Sequence, residues 1–249
     1  MKTIVKIGII FGAFIPLLTL SCTPENTSQT PTIQPSYQSI TEFMDAFPLK
    51  KGAYWIYEGS VMWQQGDEAE VMDEHLTWKM EVVDTIQREQ VKGYLIKGHP
   101  RDLAWYEPDK ERGTYVVVQV GSKYYESREK TWERLKDEND LLIDLVDEGQ
   151  IFLDLPLWSG KFFGETAQLT RPGISYRWFV SEEQSVYLTD IKGVPSLEQR
   201  LQYTLAFRTL PDHIIIEFVP GIGITHYEYG HHGTVSNVNV RLVEYYPGH

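Results

Sequence analysis

Gln199–Arg208 reads QRLQYTLAFR. Successive side chains of a strand point to opposite faces. Leu201, Tyr203, Leu205 and Phe207 therefore share one side, and Arg200, Gln202, Thr204 and Arg208 share the other. This is the signature of a strand with one buried and one wet face, as antiparallel sheets carry. Pro211-Asp212 follows as a turn signal. Beyond it, 214–219, 222–229 and 235–246 repeat the strand pattern to the end of the chain.

The same period runs upstream. In 53–64, Trp55, Tyr57, Val61 and Trp63 fall on one face, and Gly66-Asp67 marks a turn. In 74–86, Trp78, Met80 and Val82 alternate with Thr77, Lys79 and Glu81. Further strands are expected at 91–99, at 115–120 with Val116, Val118 and Val120 inward, at 123–127, at 174–180 and at 185–191. A loop holding Trp105 and Tyr106 lies between Pro100 and Pro108, and 151–164, with Pro156 and Gly160 inside it, reads as a packed loop.

Residues 130–148 break the rhythm. Trp132, Leu135, Leu142 and Val146 recur at helical spacing with acids between them, which predicts an amphipathic helix across the sheet, ended by Gly149. A shorter helix is expected at 39–47, with Ser39 as its N-cap and Glu42 three residues on. No internal repeat divides the chain. The fold class is mainly β: one antiparallel curved sheet or barrel of about ten strands with one covering helix.

The start of the chain is of another kind. Lys2 and Lys6 precede an apolar run over 7–20, and Ser21 is the small residue expected before a cut. The run is shorter than the roughly 20 residues that cross a bilayer. Leu18-Thr19-Leu20-Ser21-Cys22 resembles the lipobox of bacterial lipoproteins, with Thr19 where Leu, Val or Ile is usual. The resemblance implies cleavage between Ser21 and Cys22 and a diacylglycerol on the Cys22 sulfur. Cys22 is the one cysteine of the chain, and lipidation explains a lone thiol in an oxidising compartment. Residue 23 is Thr rather than Asp, which in a host with two membranes implies sorting to the outer one. Residues 22–39 are rich in Thr, Ser, Pro, Gln and Asn. They read as a flexible tether, unable to bury enough surface to offset ordering. Residues 1–21 are thus a signal peptide, 22–39 the lipidated tether and 40–249 the extracytoplasmic domain.

Two stretches extend the likeness. Residues 48–58, PLKKGAYWIYE, and 220–245, PGIGITHYEYGHHGTVSNVNVRLVEY, resemble the opening and closing segments of uncharacterised bacterial lipoproteins. The resemblance implies a β-rich extracytoplasmic domain and carries no catalytic residue with it.

The formal charge is −12, and cleavage of the signal removes two lysines and no acid. A nucleic acid partner needs a basic footprint and is excluded. The acidity also opposes a peripheral grip on anionic lipid, so the membrane partner is reached through the lipid. With one cysteine there is no internal disulfide. Aromatics make up 13% of the chain, and packing alone holds the core.

Established catalytic signatures are absent. Gly221-Ile222-Gly223 lacks the third glycine of a dinucleotide loop, and neither G-x-S-x-G nor H-E-x-x-H occurs. Two groups remain. His226 and Glu228 share a strand face roughly 7 Å apart, with His231 and His232 at the hairpin tip. Imidazole and carboxylate together can hold Zn²⁺. The simpler reading is a hairpin turn with Gly233 at its tip and a partly wet strand face. The second group is Trp55, Trp63, Trp78 and Tyr203. Such rings are core by pattern. In a sheet open on one side, some would line a groove for a lipid, glycan or peptide. Acids such as Glu126 read as a solvated face. No cofactor is expected beyond the covalent lipid, with Zn²⁺ as the candidate ion. The leading function is a non-catalytic, membrane-tethered binding or interaction domain. The alternatives are a metal-dependent or carboxylate-using envelope hydrolase and a structural envelope protein.

Overall fold

The computed structural model describes residues 46–249 except 65, 67 and 68. The signal, the Cys22 lipobox, the tether and all but the last two residues of the 39–47 helix lie outside the described residues. Twelve strands follow in order: β1 (Tyr54–Trp63), β2 (Met72–Arg88), β3 (Val91–Lys97), β4 (Thr114–Val120), β5 (Lys123–Ser127), β6 (Gln150–Asp154), β7 (Phe162–Phe163), β8 (Trp178–Tyr187), β9 (Gln199–Arg208), β10 (Asp212–Val219), β11 (Gly223–His231) and β12 (Ser236–Tyr246). All twelve form one antiparallel sheet, ordered β6-β5-β4-β3-β2-β1-β12-β11-β10-β9-β8-β7. It is a meander in which the first and last strands pair, so the sheet curls into a nearly closed barrel.

The β1–β12 joint depends on Gly59, which pairs with Val240. A Cβ there would lie 2.0 Å from the Asn239 carbonyl oxygen. The open seam lies between the edge strands β6 and β7 and is bridged largely by side chains. The Trp178 indole donates to the Ile151 carbonyl at 3.1 Å. Lys161 Nζ donates to the carbonyls of Asp154 and of Pro156. These contacts satisfy groups that an unpaired strand edge leaves exposed.

Alternation places the core. Trp55, Tyr57, Val61, Met80, Val180, Leu205 and Phe218 point inward and are buried. Phe47 plugs one end of the barrel, its ring 5.6 Å from Phe218 and 6.0 Å from Trp55, centre to centre. Among the described residues the twelve strands and both apolar clusters pack on one another, so the domain carries its own core. β9 has the expected bounds, but Leu201 is exposed. The β8–β9 hairpin runs past the interior there: residues 181–185 of its partner strand are exposed as well.

Three expectations are corrected. Residues 174–191 hold a single long strand, β8, rather than two. The stretch 151–164 is not one loop, since β6 and β7 are cut from it. The helix over 130–148 is interrupted: an α-helix α1 (Glu129–Lys136) is followed by turns and a 3₁₀ turn at Leu145–Glu148. Short polar side chains explain the break, because they offer the backbone partners that compete with a helix. Asp137 Oδ1 accepts from the Asn139 amide at 3.0 Å, and Asp140 Oδ1 accepts from the Leu142 amide at 2.8 Å. Arg88 covers the carbonyls at the helix end, donating to Asp137 at 2.6 Å and to Asp140 at 2.8 Å.

α1 packs on the outer face of the sheet. Trp132, Leu135 and Leu145 meet Val116 and Val118 in a second cluster. Val116 and Val118 therefore face the helix, while Val117 faces the barrel interior. Gly93 allows the close approach, since a Cβ there would meet Leu135 Cδ1 at 2.5 Å.

Candidate binding cavity

The end of the barrel away from Phe47 is open. A cavity of about 620 Å³ lies there, lined from the strand ends of that rim. Phe152, Trp178, Phe207, Ile214 and Ile216 supply apolar walls, and Trp105 and Tyr176 stand at the mouth, 48% and 39% exposed. His99, Tyr115, Glu126, Tyr227 and Tyr229 bring polar atoms inside.

Each polar group is positioned by local structure. After β3, His99-Pro100-Arg101-Asp102 winds into a 3₁₀ turn at Pro100–Leu103. His99 begins that turn, its Nδ1 accepting from the Arg101 amide at 3.2 Å. The ring is 6% exposed and stands edge-on to Phe152, Tyr115 and Tyr227. Burial, with the Arg101 charge beside it, pushes its pKa down to about 3. The imidazole is thus neutral near pH 7. With Nδ1 accepting, its proton sits on Nε2.

Arg101 forms an ion pair with Glu126 on β5 and stacks over the Tyr115 ring at 5.5 Å. Burial raises the Glu126 pKa more than the Arg101 guanidinium lowers it. Asp102 accepts from the Tyr115 hydroxyl and, at 2.8 Å, from the Gly113 amide. Burial, followed by the Asp102 hydrogen bond, raises the Tyr115 pKa. On the opposite rim Asp212 accepts from the Tyr229 hydroxyl at 2.8 Å and from Thr209 at 3.1 Å, and His231 Nδ1 lies 2.9 Å away. Burial opposes ionisation of Asp212, but these contacts outweigh it and hold its pKa below the usual carboxylate value.

The structure distributes the four residues of the histidine group. His226 and Glu228 lie on the outer face, because Tyr227 and Tyr229 of the same strand line the cavity. His226 contacts Asn239 at 3.0 Å and Glu217 at 3.4 Å. His231 belongs to Asp212, and His232 Nε2 lies 3.1 Å from His213 Nε2. Among the described residues no three His, Cys, Asp or Glu side chains converge as a metal site would need.

Trp55, Trp63, Trp78 and Tyr203 are core residues, each no more than 8% exposed, and none lines the cavity. The Trp55 and Trp78 indoles donate to the carbonyls of Ile222 and Gly98. The cavity is walled instead by Phe152, Trp178, Phe207, Ile214 and Ile216. Glu126 is also corrected: it is not on a solvated face, its side chain being 14% exposed and turned toward the cavity. Sequence signals for the missed residues were present. Glu126 is in phase with buried Tyr124, and Asp212 with Ile214 and buried Ile216. A carboxylate in phase with an inward face is a site candidate.

The buried neutral His99 has a consequence for stability in acid. Its folded pKa lies below the unfolded value of 6.5. Its contribution is present above pH 6.5 and is lost as the pH falls toward 3, because the unfolded chain then binds a proton that the folded chain does not. Between pH 6.5 and 5 the loss is about 2 kcal/mol. Urea unfolding of the wild type and His99→Asn across this range should show the wild type falling more steeply. Asn keeps an acceptor for the Arg101 amide and removes the titration. Parallel pH profiles would refute a buried neutral imidazole.

No protein-family model matches the chain, and no curated protein matches it. Two solved structures are similar to it. One is a Bacteroides fragilis protein described as exported, with a YmcC-like fold, at TM-score 0.39 and 9% identity over 80% of this chain and 98% of that one. The other is a Parabacteroides distasonis protein described as a lipoprotein, at TM-score 0.35 and 10% identity over 80% of this chain and 97% of that one. Likeness at this level says nothing of function.

Proposed function

We propose that this chain is a lipid-anchored extracytoplasmic lipoprotein whose β domain binds a small ligand without transforming it. The lipobox at Cys22 and the polar tether behind it support the anchoring. The observation that carries the binding role is the cavity of about 620 Å³ at the open rim. Its size, its aromatic and aliphatic walls and its few polar groups match small-molecule sites in general.

Of the three cavity carboxylates only Glu126 keeps an open oxygen, and it is held in an ion pair with Arg101, which favours binding over hydrolysis. Both oxygens of Asp102 and of Asp212 already accept from protein groups. A general acid or base needs a carboxylate free to exchange a proton with the substrate.

Native mass spectrometry of the protein extracted gently from its own host tests the reading. A non-covalent mass retained by the folded domain is expected. A domain that carries no added mass, and acquires none from a membrane extract, would overturn it.

A further inference from the structure

The cavity floor holds unanswered hydrogen-bond donors. His99 Nε2–H has no partner among the described residues, although the ring is 6% exposed. The Tyr227 hydroxyl, on a side chain 2% exposed, has none either. The two rings meet edge to face at 6.3 Å, centre to centre, and both line the cavity. Neither atom is sealed off from the cavity, so a ligand or water entering it meets two donors that the protein leaves open.

The neighbouring acids do not take these donors. Asp102 is closed by Tyr115 and the Gly113 amide. Glu126 Oε1 is held by Arg101, leaving Oε2 open. An incoming head group must therefore bring an acceptor to His99, and it can bring a hydroxyl to Glu126. It does not need charge, because Arg101 and Glu126 neutralise each other. A second anion would compete with Glu126 for that guanidinium, at the cost of leaving one buried carboxylate unpaired. The wall beside this patch is Phe152, Trp178 and Phe207, which suits an apolar body.

We propose that the cavity takes a neutral single-chain amphipath, its apolar chain along Phe152, Trp178 and Phe207 and an ester or amide carbonyl accepting from His99 Nε2–H. This rests on the reading of the cavity as a binding site.

Isothermal titration of the domain 40–249 with monodecanoylglycerol and with decanoate, both below their micelle concentrations, tests it. The ester is expected to bind and decanoate to bind at least tenfold more weakly. His99→Asn should weaken the ester about three- to tenfold, the worth of one hydrogen bond. His99→Gln, whose amide N–H can stand in for Nε2–H, should restore most of that. Tyr227→Phe is the second variant should the His99 changes unfold the domain, and it should also weaken the ester. Decanoate binding as tightly as the ester, or variants without effect, would overturn the proposal. Neither lipid binding while native mass spectrometry finds another bound mass would overturn the ligand class and leave the binding role standing. Neither lipid binding and no bound mass would overturn both.

Discussion

Cys22→Ser is expected to move the protein from the membrane fraction to the soluble one. On the reading proposed above, acyl chains on the Cys22 sulfur hold the protein at the membrane. Buried CH₂ groups contribute about 0.8 kcal/mol each, and two chains hold firmly where one holds marginally. The remainder of the chain offers little to replace them. The chain's formal charge of −12, which loss of the two signal lysines would take to −14, repels anionic lipid, and no helix among the described residues is long and apolar enough to cross a membrane. The loss should therefore be nearly complete. Fractionation of cells expressing wild type and variant, followed by urea unfolding of the released form, checks both location and folding. A variant that stays with the membrane, its signal uncut, would contradict the lipoprotein reading.

The second large effect concerns the core. Trp55→Ala should destabilise the domain by about 3–5 kcal/mol, the usual cost of truncating a buried aromatic. The ring is 0% exposed and packs against Phe47 and Tyr245 at centroid distances of 6.0 and 5.5 Å. Its indole donates to the Ile222 carbonyl at 2.6 Å, so truncation also leaves a buried acceptor unpaired. Such a loss is a large part of the stability of an ordinary domain. Trp55→Phe keeps most of the volume and should cost less. Urea denaturation measures both. A Trp55→Ala variant weakened by less than about 1 kcal/mol would return Trp55 to the groove residues, where large losses on truncation are not expected.

How far the sequence discloses this protein differs between fold and site. The alternation in Gln199–Arg208 and in 53–64 follows from sheet geometry alone, and the structure keeps it at Trp55, Tyr57, Tyr203 and Phe207. Periodicity does less well where polar side chains turn the backbone. Asp137 and Asp140 stop α1, although the apolar spacing of Leu142 and Val146 continues beyond them. It also does not say which of two buried faces is the interior: Val116 and Val117 are both buried, one under α1 and one inside the barrel.

The cavity was less legible because it gathers residues that are far apart in the chain. His99 and Tyr227 meet only once β1 pairs with β12 and the sheet curls round. The histidines of 226–232 stood out by local density, yet on β11 the residues between and beside them, Tyr227 and Tyr229, reach the cavity. Density of polar residues in sequence is a weak guide in a barrel, where alternate residues of every strand face opposite ways.

The proposed binding role rests on the cavity at the open end of the barrel. A crystal structure of the domain purified from its own host, without added ligand, tests it most directly. Continuous non-protein density is expected in the cavity, with an acceptor atom within hydrogen-bond distance of His99 Nε2. A cavity holding only ordered water at His99 and Tyr227, in protein that also releases no small molecule on denaturation, would contradict it.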